Sequence, residues 1–414
     1  MKKNSIFRPL TIMMSAMISV LFFVCTILSA CGGDDNESSS GDDSYITNNS
    51  FEMKNVDGVT IYYRMVSDGE LEVRSKGDGV TYYQGSVVIP EEVTYNNKTR
   101  KVTRIGMNAF AYCKDLTSVT IPSSIVLFDI DAFRNCENLK KIIVKDVATF
   151  CGIQIKSADS NPFSYARLYS DENTEIKNLV IPNSVTTIAD AIFANCQSIT
   201  SLTISNSVKN IGEFAFSGCA NLAKVTIGNN VESIGQGAFS GSTSLPYIVI
   251  PDNVTSMGSG VFSCCYGLTN VTIGNGLKEI SDLTFSYCKA LSYSPIPNSV
   301  TTIGYHAFYN CTSLAYVIIP NSTSTIKVLA FEGCDNLTSV TIGKNVKTIE
   351  AGAFSCSKLV IVKSLIEEPF KIVNVFSHNA LYKGILWVPK GTQEKYKKIE
   401  GWKEFAAIKE GDGS

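Results

Sequence analysis

The chain has 414 residues, 36 Lys and Arg against 38 Asp and Glu, and is 44% hydrophobic and 18% charged, a composition that sustains a folded core and excludes a wholly disordered chain. Lys2, Lys3 and Arg8 lie within the first 30 residues and Asp34, Asp35, Glu37, Asp42 and Asp43 between residues 32 and 50, so residues 51–414 hold 33 charges of each sign. A neutral folded part without a basic stripe excludes a nucleic-acid partner.

Residues 1–30 read as a secretory signal, with Lys2, Lys3 and Arg8 ahead of the uncharged run Pro9–Ala30 and its apolar stretch Val20–Val24. Such a run is also long enough to span a bilayer as a signal anchor. Its end, Leu28-Ser29-Ala30-Cys31, resembles the bacterial lipobox. That resemblance implies cleavage before Cys31 and lipidation of its thiol, so that acyl chains hold the mature protein on the membrane. Residues 31–50 are then an acidic, solvated tether. The Gly32-Gly33-Asp34-Asp35 segment resembles an export signal for lipoproteins of the outer face of the outer membrane.

Residues 51–104 show no repeat. Short runs such as Val59–Tyr63, Leu71–Arg74 and Gly85–Ile89, separated by turn residues, predict a β-rich N-terminal cap for an array that would otherwise expose a bare end. From 105 to 360 the chain predicts a solenoid of about 23-residue coils. Phe110 and Phe133 open it, 134–192 form longer coils, and Phe193, Phe216, Phe239, Phe262, Phe285, Phe308 and Phe331 follow at strict 23-residue intervals. With each Phe as position 0, apolar residues recur at +6, +9, +11, +15, +18 and +22. In the Phe216 copy these are Leu222, Val225, Ile227, Val231, Ile234 and Ala238, with Cys219 at +3. One coil cannot bury that edge alone, so coils must stack. Alternation over +9 to +11, ended by Pro or Gly at +12, predicts a short parallel strand on one wall. The other wall is expected to be a turn or one irregular helical turn, and Ala158–Asn173 is expected to be a surface loop. Residues 361–414 are expected to cap the C-terminal end.

The pattern Ala-Phe-x-x-Cys-x-x-Leu-x-x-Val-x-Ile-Pro, from Asn108 to about Lys358 in ten recognisable copies, resembles the BspA-type leucine-rich repeat family of bacterial surface proteins. Leu386–Gly391, Tyr396 and Gly401–Phe405 resemble that family's C-terminal cap. The resemblance implies a leucine-rich repeat solenoid with short parallel strands and a mostly irregular convex side, and it adds adhesion to matrix or plasma proteins as a role. Ser242 departs from the pattern at a cysteine position, and Ser294 and Thr323 depart at apolar ones.

Little here predicts chemistry. Eight of the 13 cysteines occupy +3 and read as small buried apolar residues. A ladder of disulfides would have side chains pointing in parallel, which is poor geometry for the bond. His306 and His378, the two histidines, have no evident partners and are expected at the surface, with no metal site and no cofactor. No motif for nucleophilic, phosphate-binding or metal chemistry is present, so the chain is expected not to be an enzyme.

The positions free to vary are +8 and +10, which should point outward from the strand. They run through Ser118, Thr120 and Ile143 at the start, and reach Tyr247, Val249, Asn270, Tyr293, Pro295, Tyr316 and Ile318 in the middle coils. Tyr247, Asn270, Tyr293, Tyr316, Val249 and Ile318 are therefore the candidate ligand-binding residues of the concave strand face, an amphipathic platform suited to a protein segment or a sugar. The expectation is a monomeric, lipid-anchored surface protein that binds a host or microbial protein. A glycan-binding lipoprotein of a nutrient-uptake system and an envelope scaffold are the alternatives.

Overall fold

The computed structural model describes residues 49–77 and 82–411. The expected signal peptide, Cys31 and nearly all of the expected tether lie outside the described residues. Two compact units form: one holds the described chain up to Thr117 with Ser124–Leu139 and Ile155–Pro162, the other Ser118–Ser123, Lys140–Gln154 and the chain from Phe163 onward. Helix is scarce, and parallel β-solenoid coils dominate.

The first unit starts with β1 (Ser50–Lys54), β2 (Thr60–Met65) and β3 (Glu70–Arg74) in antiparallel order. The β1–β2 turn is built by Asn55, whose side-chain oxygen accepts from the Asp57 and Val59 amides at 3.0 and 2.9 Å. After β4 (Gly85–Val88) and β5 (Glu92–Tyr95) comes β6 (Lys98–Ile105), antiparallel to β5 and parallel to β3. Here the chain changes from hairpins to parallel pairing. The inner face holds Ile61, Tyr63, Leu71, Val73 and Val102, all at most 1% exposed. Glu72 is buried beside them and is held by Arg64 at 2.7 Å, so its charge is paired rather than stranded. Tyr83 joins these strands to the first coils. Its hydroxyl donates to Arg74 O at 2.6 Å and accepts from Tyr62 N at 3.0 Å, while its ring meets Phe110 at 4.9 Å. Phe110 stacks in turn on Phe133 at 5.3 Å.

In the second unit the regular coils repeat one backbone path. Residues at about +8 to +11 form the long strand, as in Ser201–Ile204, Tyr247–Ile250 and Ser339–Ile342, and neighbouring copies pair in parallel and in register. A second strand that the periodicity did not predict lies at +17 and +18. It is two residues long, as in Ser233–Ile234 and Thr302–Ile303, and it also pairs in parallel from coil to coil. The third face, around the Phe, is a turn with an ordered ladder of its own. Phe214, Phe216 and Gly218 donate their amides to Gln236, Ala238 and Ser240 of the next coil at 2.7, 2.8 and 2.7 Å. The side opposite the long strands is therefore more regular than expected. Its geometry requires left-handed backbone at +21 and +2, shown by Gly237 (φ 58), Gly218 (φ 70) and Asn310 (φ 56), where Gly and Asn are the residues least strained.

Inside, the Phe rings form an unbroken stack from Phe193 to Phe376, with adjacent centroids 4.9 to 5.8 Å apart. Each of the repeat cysteines from Cys219 onward is buried and free. Beyond filling space, the thiols donate to the Phe carbonyl of the preceding coil: Cys219 to Phe193, Cys265 to Phe239 and Cys288 to Phe262, all at 3.2 Å. Although the Phe354 copy lacks one residue before its cysteine, Cys356 still reaches Phe331 O at 3.0 Å.

Ala158–Asn173 differs from the expected loop. Ser160, Asn161, Phe163, Ala166 and Leu168 are buried, with Phe163 stacked 6.5 Å from Phe193. Only the tip is a surface turn, closed by Asp171, which accepts from the Asn173 and Thr174 amides at 2.8 and 2.9 Å. Apolar residues at 163, 166 and 168 pull the rest inward. At the C-terminal end, strands Ile361–Ser364, Ile385–Val388 and Ala407–Glu410 continue the parallel sheet. Phe376 ends the stack against Trp402 and Phe405. The Trp402 indole donates to Phe370 O at 2.8 Å and the buried Tyr396 hydroxyl to Ile366 O at 2.8 Å, so both large rings have their polar atoms satisfied.

Candidate binding surface

The long strands of the middle coils hold their outward side chains on a backbone that pairs in parallel with the following coil, Tyr247–Ile250 with Asn270–Ile273 and Tyr316–Ile318 with Ser339–Ile342. Tyr247 and Val249 are 45% and 53% exposed, and Tyr316 and Ile318 51% and 58%. Their inward neighbours Ile248 and Val317 are each 1% exposed, so the alternation of a half-buried strand is complete. Thr203, Thr226 and Thr272 extend the same face as exposed small residues. A shallow open groove runs along the strand ends of earlier coils past Val180, Thr203 and Thr226 to Asn183, Asn206 and Asn229.

Tyr293 plays a different part from Tyr247 and Tyr316. Its hydroxyl donates to Asn270 Oδ1 and to Val271 O, the latter at 2.6 Å, and accepts from Val271 N at 3.0 Å. Those backbone groups belong to strand Asn270–Ile273, whose next neighbour should be the coil containing Ser294, Pro295 and Ile296. Pro295 has no amide hydrogen to give, so the ladder is interrupted and the sheet divides there. The phenol occupies the position the missing strand would have taken. Pro295, expected outward at +10, is buried, while Ser294 is only half-buried: with a polar residue at +9 the apolar ring takes the inward place. Asn270 remains exposed, yet its side chain is tied to Tyr293. Pro246 explains another break, between strands Lys224–Thr226 and Tyr247–Ile250. It stands where Ala223 and Thr269 each donate to the coil before and cannot do the same.

The row is also shorter than the spacing suggests. Ser118, Thr120 and Ile143, expected outward, are 4%, 4% and 3% exposed. A period reports which residues share a face, and it is silent on whether that face is covered.

His306 is not a surface residue. Its side chain is 14% exposed, and its ring is sandwiched between Tyr305 at 3.9 Å and Tyr309 at 4.3 Å. Burial pushes the imidazole down to about 4, against an opposing pull from Asp282, so it is neutral at neutral pH. The 3.9 Å approach of its Nε2 to Glu332 is then no ion pair, and Nε2 is buried without a hydrogen-bond partner. His378 is exposed at the start of helix His378–Lys383 and packs on Tyr382 at 4.0 Å. Burial pushes the Cys265 thiol up to about 12, which makes it a poor nucleophile. Among the described residues no cluster of three His, Cys, Asp or Glu is placed to hold a metal ion, and no helix is long and apolar enough to cross a membrane.

Comparison with known proteins agrees with this architecture. The closely repeated coils resemble a leucine rich cell surface protein of Faecalibacterium prausnitzii A2-165 at 22% identity, over 88% of this chain and 95% of that one, with a TM-score of 0.51. A leucine-rich repeat protein of Bacteroides ovatus matches at 22% identity over 85% and 98% of the two chains with a TM-score of 0.35, and the pneumococcal vaccine antigen PcpA at 18% over 87% and 99% with 0.44. At 22% identity the likeness to the Faecalibacterium prausnitzii protein is one of fold alone. No curated protein matches the sequence. The model of the BspA type leucine rich repeat region matches six copies, over residues 90–164, 165–292 and 285–367, and with most of the chain so covered, the protein belongs to the BspA-type leucine-rich repeat family.

Proposed function

We propose that the chain is a surface-displayed lipoprotein, anchored through Cys31 at the outer face of the outer membrane, whose solenoid recognises a protein ligand on its long-strand face. The observation that carries this reading is the open row Tyr247, Val249, Tyr316 and Ile318, four large side chains held 45% to 58% exposed on the long strands of two coils. Tyr247 and Tyr316 stand three coils apart, about 14 Å at the strand spacing of a sheet. Stiff rings with hydroxyl tips give contact area at low entropic cost, and a backbone fixed by coil-to-coil hydrogen bonds needs no ordering on binding. The family consists of bacterial surface proteins, and the Leu28–Cys31 lipobox supports the anchored placement.

The test changes Tyr247 and Tyr316 to Ser together and leaves Tyr293 intact, since its hydroxyl serves the backbone. Wild type and variant are applied to immobilised extracellular-matrix and plasma proteins and, in parallel, to a glycan array. The expectation is binding to a protein that weakens at least about tenfold in the variant at an unchanged unfolding midpoint. Undiminished protein binding would sink the reading. Binding confined to the glycan array would instead support a carbohydrate ligand.

A further inference from the structure

The first unit leaves one strand edge open. β1 begins the order β1-β2-β3-β6, and no described strand lies on its other side. Its register with β2 runs without a bulge from Ser50 opposite Arg64 to Lys54 opposite Thr60. Asn55 N donates to Val59 O at 2.8 Å and Met65 N to Asn49 O at 2.9 Å. The odd-numbered residues therefore bond to β2, and the amides and carbonyls of Ser50, Glu52 and Lys54 point outward. The strand is held firmly in place: Phe51 stacks on Tyr95 at 3.9 Å, and Asn55 Nδ2 donates to Val88 O at 2.9 Å. The C-terminal edge strand Ala407–Glu410 is covered by contrast. There the Ile408 carbonyl accepts from Gln393 Nε2 at 2.5 Å, and Glu410 Oε1 accepts from Gln393 N at 3.1 Å.

An exposed edge is commonly blunted by a proline, a bulge or charge of one sign that repels a second strand. β1 has no proline and no bulge, and its exposed charged side chains, Glu52 and Lys54, are of opposite sign and two residues apart. Neither makes an ion pair among the described residues. That spacing is self-complementary. When two copies of the strand pair antiparallel with Met53 on the two-fold axis, Glu52 of each chain faces Lys54 of the other. Both residues carry outward amides and carbonyls, so they form hydrogen-bonded pairs. A register centred on Glu52 or on Lys54 would set like charges face to face, and one centred on Phe51 would set Glu52 against the uncharged Ser50.

We propose that β1 is a homodimerisation edge, which pairs antiparallel with β1 of a second copy of this chain through backbone hydrogen bonds and reciprocal Glu52–Lys54 ion pairs. The partner is thus another molecule of the same protein, in place of the monomer that the sequence suggests. One patch meets itself, so the assembly is an isologous dimer and closes at two copies. Main-chain hydrogen bonds supply the attraction, as in other additions of a strand to an open sheet edge, and the charges choose the register. Because the edge is already ordered, pairing costs little backbone entropy. The strand is short and its ion pairs are solvent-exposed, so the dimer is reversible and weakens with salt. The pairing uses no residue of the long-strand face and does not depend on that face.

The test uses the full chain in sedimentation velocity over a concentration series. Expected are a concentration-dependent dimer in wild type, at least about tenfold weaker association in Glu52→Lys, and recovery when the charges are exchanged in Glu52→Lys, Lys54→Glu. Both side chains are exposed, so an unchanged unfolding midpoint in each variant confirms that the loss is one of charge. Disulfide trapping reads the register. Residues facing each other in a non-hydrogen-bonded pair have Cα atoms about 4.5 Å apart, within reach of the bond, so Met53→Cys should cross-link to a dimer on mild oxidation. Ser50→Cys, which faces no copy of itself in this register, should stay at the wild-type background. A wild type that remains monomeric throughout, a dimer indifferent to Glu52→Lys, an exchanged variant no stronger than Glu52→Lys, or Ser50→Cys cross-linking as readily as Met53→Cys would overturn the proposal.

Discussion

At position +3 the choice between sulfur and oxygen has a visible effect. The repeat thiols reach across one coil to a Phe carbonyl at 3.0 to 3.2 Å. Ser242 occupies the same place in the Phe239 coil, is 0% exposed, and its hydroxyl is buried with no partner. The C–O bond is shorter than C–S, so the hydroxyl falls short of the carbonyl the thiol would find. An unmet buried donor costs about 1–3 kcal/mol. Ser242→Cys should therefore stabilise the protein by about 1 kcal/mol, read as a higher midpoint in urea. A midpoint equal to or below that of wild type would show that the hydroxyl is satisfied by water. The sequence displays the cysteine repeat openly and shows Ser242 as its exception. It does not show that a thiol also donates a hydrogen bond, because that depends on the coil-to-coil distance.

At the scale of the element, the long strand was legible and the rest of the coil only partly so. Leu at +6, Val at +9 and Ile at +11 mark the strand because burial on one side leaves a period of two. A two-residue strand such as Ser233–Ile234 is too short to carry any alternation. The left-handed positions had a signal in the Gly and Asn at +2 and +21, the residues that tolerate positive φ. Tyr293 is the harder case, since a tyrosine at +8 looks the same whether its hydroxyl meets solvent or a neighbouring backbone. Pro295, two residues on, was the clue that a strand amide would be missing. Replacing the phenol should expose that dependence: Tyr293→Phe leaves Val271 N and O without their partner and should lower stability by about 1–3 kcal/mol. Tyr316→Phe, on the exposed face, should change it by less than about 0.5 kcal/mol. Equal effects of the two substitutions in urea unfolding would contradict a backbone role for Tyr293.

At the scale of the whole molecule, stability in a solenoid is a sum over coils and their neighbours, so a single strained coil can set the point at which the array opens. His306 is placed to make that point depend on pH. In the folded chain its imidazole is held down near 4 by burial, against an ordinary value of 6.5. The groups facing it are Asp282 from the preceding coil and Glu332 from the following one, with Tyr305 and Tyr309 on its own coil. Between those two values the unfolded chain binds a proton that the folded chain refuses, so folding stability rises with pH there. The contribution is complete above about pH 6.5 and is lost as pH falls toward 4, on the order of 2–3 kcal/mol in full. His306→Asn removes the titration and keeps a residue that accepts φ 53, as Asn108 and Asn374 do at the same position of other coils. The carboxylates common to both proteins cancel in the comparison. From pH 7 to pH 4 wild type should lose about 2 kcal/mol more than His306→Asn in urea unfolding, beginning below pH 6.5. Parallel losses in the two proteins would mean that His306 protonates without opening the coil, and that the pH response of the array belongs to its carboxylates.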